Sequence, residues 1–118
     1  MSVRVVVCGG RSFADRMLLD LHLDRIHAER GIAVLIDGGS RGADLMAREW
    51  ARRTGGISMQ PYRACWRKHG RAAGPIRNQR MLDCGRPDLV IAFPGGRGTA
   101  DMVRRATAAV IEVIRVSA

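Results

Sequence analysis

A chain of 118 residues is long enough for one domain around a single buried core and too short for two. Its 47% hydrophobic and 26% charged residues exclude a disordered chain, and no apolar stretch approaches the roughly 20 residues a bilayer crossing needs. The formal net charge of +9 points to an anionic partner. However, Lys68 is the sole lysine and the arginines are dispersed rather than blocked, which matches a small anion better than duplex DNA or RNA.

Val3 to Cys8 is apolar apart from Arg4 and reads as a first strand. It is too short for a signal peptide and leads straight into glycines, so a cytoplasmic chain is expected. Cys8, Cys65 and Cys84 form an odd set without C-x-x-C spacing, which fits a reducing compartment and indicates neither a disulfide framework nor a zinc ribbon. From Ala14 to Arg30, Leu19, Leu23 and Ile26 recur at helical spacing and Gly31 supplies a stop. His22 and His27 on this helix lie five apart, the wrong spacing for paired metal ligands, and are assigned to solvent or an interface.

Ala33 to Asp37 reads as a second strand, followed by a helix over Ala43 to Thr54 whose apolar stripe takes Trp50 into the core. Ile57 to Tyr62 is a third strand. A helix over Pro75 to Cys84 places Pro75 in its first turn. Leu89 to Phe93 is a fourth strand, a helix beginning near Thr99 turns Met102, Val103 and Ala106 inward, and Ile111 to Val116 closes the series. Apolar runs of this kind suit strands buried on both faces of a parallel sheet. The alternation predicts an α/β fold, a Rossmann-like three-layer sandwich with a five-stranded parallel sheet, as one domain over residues 1–118.

In such sheets ligands bind beyond the carboxyl ends of the strands. Three glycine-rich loops fall there: Gly9, Gly10, Arg11 and Ser12 after the first strand; Gly38, Gly39, Ser40, Arg41, Gly42 and Asp44 after the second; Pro94, Gly95, Gly96, Arg97, Gly98 and Thr99 after the fourth. Glycine allows close backbone approach, so successive N–H groups can face an anion while the next helix adds its positive end and the arginines add bidentate contacts. The stretch from Trp66 to Leu82 follows the third strand and carries Trp66, His69, Arg77 and Asn78, residues suited to stacking on a base and pairing with phosphate.

Familiar templates do not fit. No Gly-Lys-Ser/Thr completes a Walker loop, and Gly96-Arg97-Gly98 lacks the third glycine of a dinucleotide fingerprint, so no cofactor is assigned. Gly38-Gly39-Ser40-Arg41-Gly42 matches G-x-S-x-G, but only His69 follows Ser40 and no acid is identifiable to orient it. Cys65 and His69 lack two further ligands, and no metal is assigned.

Taken together, VCGGRSF, DGGSRGAD, W-x-x-HG-x-AAGP-x-RN-x-x-M and DLVIAFPGGRGTADMV resemble the SLOG superfamily, in particular its small YspA-like branch, over essentially the whole chain. The superfamily includes the LOG phosphoribohydrolases and the DNA-processing protein A of bacterial transformation. The resemblance implies a Rossmann-like domain that binds nucleotides or nucleotide-derived ligands at the glycine-rich edge. In the LOG enzymes the corresponding loop reads P-G-G-x-G-T-x-x-E, and a catalytic arginine lies in an upstream R-K-x-x-M segment. Arg77 falls on that arginine, whereas the glutamate position is Met102. A thioether cannot activate water or stabilise an oxocarbenium-like centre.

Two readings follow. The first is a binding module, a sensor or sequestering protein, for a nucleotide or nucleotide-derived small molecule. The second is a hydrolase of an N-glycosidic or phosphate bond, with Arg77 orienting the substrate and Asp44 or Asp101 carrying the proton. Single-stranded nucleic-acid binding is a lesser alternative, no membrane partner is expected, and a homodimer is expected from the exposed helix layers and the superfamily's habit.

Overall fold

The computed structural model describes residues 2–117. Along the chain run β1 (Val3–Cys8), α1 (Arg16–Arg30), β2 (Ile32–Asp37), α2 (Ala43–Thr54), β3 (Ser58–Pro61) and the short α3 (Trp66–His69). A 3-10 turn at Gly70–Ala72 then runs into α4 (Ala73–Gly85), followed by β4 (Leu89–Ala92), α5 (Arg97–Ala108) and β5 (Glu112–Arg115). The five strands are all parallel, in the order β3-β2-β1-β4-β5. The fold is the α/β sandwich expected from the sequence.

Alternation along β1 divides the core in two. Val5 and Val7 face one side, where Leu19, Leu23 and Ile26 of α1 and Ala43, Ala47 and Trp50 of α2 cover them. Val6 and Cys8 face the other, beneath Met81 and Leu82 of α4 and Met102 and Ala106 of α5. Because the chain passes outward from β1 through β2 to β3 and then returns to β4, helices change faces between β1 and β4. The carboxyl ends of those two strands are therefore the switch point of the sheet, the place where α/β folds of this kind hold ligands.

Boundaries shift for local reasons. Asp15 accepts the Leu18 N–H at 3.0 Å as an N-cap, so α1 starts at Arg16 rather than Ala14. The edge strands β3 and β5 are shorter than their apolar runs suggest and only half buried, since each has one neighbour. Pro61 is tolerated because β3 is an edge. The helix α4 begins two residues before Pro75, continuing the 3-10 turn, and α5 begins at Arg97. The histidines of α1 are structural rather than solvent-facing: His27 Nδ1 accepts the Ile32 N–H at 2.9 Å and its ring stands edge-on to Trp50, while His22 packs edge-on to Phe93. Trp50 is buried and donates to Asp24 at 2.8 Å.

Among the described residues no helix is long and apolar enough to cross a membrane.

Candidate functional site

The loops after β1, β2 and β4 enclose a cavity of about 1020 Å³ at the carboxyl edge of the sheet, enough for a nucleotide-sized ligand. Gly9, Gly10, Arg11 and Ser12 form one wall, Gly38, Ser40, Arg41 and Asp44 a second, and the whole stretch Pro94 to Thr99 a third. Trp66, Arg77 and Asn78 close it from the α3–α4 side, and Asp101 lies on its margin. Three residues named from the sequence stand apart. His69 lines neither this cavity nor its neighbour, Gly39 belongs to an adjoining recess, and Gly42 acts within the wall.

Gly42 shows how tightly the walls interlock. Its φ is +71°, and a Cβ there would collide with the Gly10 and Arg11 carbonyls; the next residue, Ala43, donates to the Gly10 carbonyl at 3.3 Å. Gly10 in turn donates to the Pro94 carbonyl at 2.9 Å, so the first loop is bonded to both others. Gly96 is different: a Cβ there would meet nothing within 4 Å, and the residue faces the open cavity. The walls need Gly42 for their own closure, whereas Gly96 is free to admit a ligand.

The loop after β2 does not offer its N–H groups to a ligand as the glycine pattern suggests. Gly38 and Ser40 donate to Asp44 Oδ2 at 3.0 and 3.3 Å, and Gly39 donates to Asp37 Oδ1 at 2.7 Å. The protein's own carboxylates already fill this backbone concavity. The loop after β4 has no such occupant. The helix α5 starts at Arg97 without a side-chain cap, so the first-turn N–H groups of Arg97, Gly98 and Thr99 have no partner within the helix, and these three residues line the cavity.

Electrostatics favour an anion. Arg11, Arg41, Arg71, Arg77 and Arg97 line the cavity against two carboxylates, Asp44 and Asp101. Asp101 is already neutralised: it accepts from Arg104 at 2.8 Å, Arg105 at 2.8 Å and Asn78 at 3.0 Å. Burial pushes its carboxyl up, but those hydrogen bonds and the two arginine charges outweigh it and hold it below its ordinary value. Asp44 behaves oppositely. Burial and then the nearby charge of Asp37 raise it to about 6, against the pull of the two backbone N–H groups and Arg77.

Arg77 Nη1 donates to the Gly38 carbonyl at 2.7 Å and its Nε donates to Asn78 Oδ1 at 3.0 Å, which fixes the guanidinium at the cavity wall. Trp66 is half exposed, and the Arg11 guanidinium lies 5.6 Å from its ring centroid. Cys8 also lines the cavity, but burial first and the Asp44 charge second push its thiol up to about 12, which excludes a thiolate nucleophile at neutral pH. Met102, at the position of the LOG glutamate, is wholly buried with Val6, Cys8 and Met81 and does not line the cavity. No cluster of three metal-ligating side chains occurs among the described residues.

Sequence reasoning did not single out Arg71, a variable position within the W-x-x-HG-x-AAGP motif, and missed Arg63, which lines the adjoining recess. A lone arginine after an edge strand carries no spacing signal. It also missed Asp37 as a structural anion, although a carboxylate at the end of an apolar strand hints at a buried partner; Arg48 Nε stands 3.3 Å away.

Residues 3–69 match the family model described as YspA, cpYpsA-related SLOG family. The chain is also similar to the Gene 61 protein of Mycobacterium phage D29, with 40% identity over 118 aligned positions that cover 94% of each chain. The match to the family model takes in the loops after β1 and β2 and reaches the end of α3, and the phage relative extends the likeness along nearly the whole fold. The chain belongs to the YspA, cpYpsA-related SLOG family.

Proposed function

We propose that this protein binds a nucleotide or nucleotide-derived anion in the cavity at the carboxyl edge of the sheet and holds it uncleaved, as a sensor or sequestering module. The observation that carries the reading is the uncapped first turn of α5, opening on a cavity where five arginines face two carboxylates, one of them already paired. Phosphate is the group that such a combination of backbone donors and guanidinium forks recognises. Family membership supports a nucleotide-related ligand. Trp66, half exposed at the rim, offers a face for a base.

The second reading, hydrolysis of an N-glycosidic or phosphate bond, is favoured by Asp44. Its carboxyl, raised to about 6, sits beside Arg77 against the same side of Gly38, where a proton can be exchanged near neutral pH. Against it, Asp44 Oδ2 is held by two backbone N–H groups and the family's glutamate position is Met102 in the core.

Incubation with nucleoside monophosphates, dinucleotides and ADP-ribose derivatives, followed by chromatography and thermal melting, separates the readings. Binding alone returns the ligand intact and raises the melting temperature on the order of 10 °C at about a hundredfold excess over Kd. Released base or ribose phosphate would replace it with the hydrolase.

A further inference from the structure

Beside the main cavity lies a recess of about 290 Å³, and Arg11, Gly38, Ser40, Arg41, Trp66 and Arg77 line both. Only Gly39, Arg63 and Ala64 belong to the recess alone. Four arginines line it and no carboxylate does. Among the described residues Arg11, Arg41 and Arg63 enter no salt bridge. Asp44 and Asp37 attract Arg77, and Asp37 attracts Arg63, but both carboxylates stand outside the recess and none lines it.

The recess is also shaped. Arg77 is anchored by the Gly38 carbonyl and by Asn78, and Arg11 lies over the Trp66 ring, so two of the four guanidinium groups are held in position. Arg63 packs its stem across Gly39, where a Cβ would stand 2.8 Å from Arg63 Cγ. A glycine there, with φ at +73°, lets Arg63 lie down against the loop and form the far wall. The charges repel one another: the positive charge of Arg11 helps burial lower Arg77 from its usual value, with Asp44 opposing. A bound dianion would relieve that repulsion.

Resting on the proposed nucleotide binding in the main cavity, we infer that the ligand is a nucleotide with a second phosphate group carried away from the first by a sugar. One phosphate lies at the first turn of α5, and the other enters the recess between Arg63 and Arg41. The Arg11–Trp66 pair, which borders both spaces, stands between the two anionic ends. A ligand with a single phosphate fills the main cavity and leaves the recess empty.

The test is calorimetric titration of the intact protein with nucleoside 5′-monophosphates and the matching 3′,5′-bisphosphates of all four bases, at fixed ionic strength. For the base that binds, the bisphosphate should be at least about tenfold tighter than the monophosphate. In Arg63→Gln that ratio should fall toward one, and Gly39→Ala, which displaces Arg63, should lower it as well; far-ultraviolet circular dichroism shows that each variant is folded. If a monophosphate binds and its bisphosphate binds no tighter, or if the ratio survives Arg63→Gln, the recess is not a phosphate subsite, while binding in the main cavity stands. If no monophosphate and no bisphosphate binds, nucleotide binding itself fails and this inference fails with it.

Discussion

Asn78 Nδ2 lies 3.0 Å from Asp101 Oδ2 and 3.1 Å from the Gly98 carbonyl, so one buried amide ties α4 to the first turn of α5. The same Asn78 accepts from Arg77, which makes it the joint between the arginine at the cavity wall and the helix end that forms the cavity's cradle. Asn78→Ala should therefore lower stability by about 1–3 kcal/mol, because buried acceptors lose their donor, and should also weaken ligand binding by loosening Arg77. Urea denaturation and calorimetry check the two effects. A variant of wild-type stability would show that the joint carries no strength.

Met102 decides what the resemblance to the LOG enzymes can deliver. The side chain is fully buried between β1 and α4, and a glutamate there would be an unpaired charge in an apolar cluster. Met102→Glu should cost several kcal/mol and yield no release of base from nucleoside monophosphates. Gain of hydrolysis by this variant would mean that the helix can turn the residue into the cavity.

Asp44 gives a pH signature whose sign is fixed by its environment. Its carboxyl is raised from 3.8 to about 6 in the folded protein, so the proton is bound more tightly there than in the unfolded chain. The stabilisation this provides is complete below the unfolded value and is lost as pH rises through about 6. Asp44→Asn keeps an oxygen to accept from Gly38 and Ser40 and is neutral throughout. Between about pH 4 and pH 7 the wild type should lose up to about 3 kcal/mol relative to this variant. Urea midpoints for both proteins across that range measure the difference, and parallel curves would contradict it.

The homodimer expected from the sequence has a face to use. Met17 and Leu21, one turn apart on α1, are 85% and 54% exposed, and Leu45 is exposed on the adjoining α2. We propose that two copies meet there. Light scattering should give twice the 12.9 kDa chain mass, and Leu21→Lys should return it to the monomer. Monomer mass for the wild type would refute the pairing.

Where periodicity is strong, the fold was legible from residues alone. The recurrence of Leu19, Leu23 and Ile26, and of Ala43, Ala47 and Trp50, marks faces that are buried, and the apolar runs Val5 to Cys8, Ile32 to Ile36 and Leu89 to Phe93 mark the three central strands. The site was legible as far as its glycine loops, because strand–glycine–helix punctuation puts them all at one edge. What the sequence concealed were side-chain partners across the fold. Asp44 and Asp37 take up the N–H groups of Gly38, Gly39 and Ser40, which turns an apparent phosphate cradle into a self-satisfied wall. The helical start at Trp66 was hidden too, since that stretch has no apolar repeat, and Arg63 became visible only when β3 brought it against Gly39.

Calorimetric titration of the wild type and of Gly96→Val with the nucleotide panel tests the central claim most directly. At Gly96 a Cβ meets no protein atom within 4 Å beyond its chain neighbours, but φ −104° with ψ −138° lies outside the regions a β-branched residue favours, so the variant should keep its fold at a cost of about 1–3 kcal/mol, read as a lowered melting temperature. The isopropyl group would stand in the approach to the first turn of α5. Saturable binding by the wild type, with affinity lost by at least about a hundredfold (about 2.7 kcal/mol) in the folded variant, is the result expected. Equal affinity in the two proteins, or no binding to either, would contradict the assignment of this turn as the phosphate site.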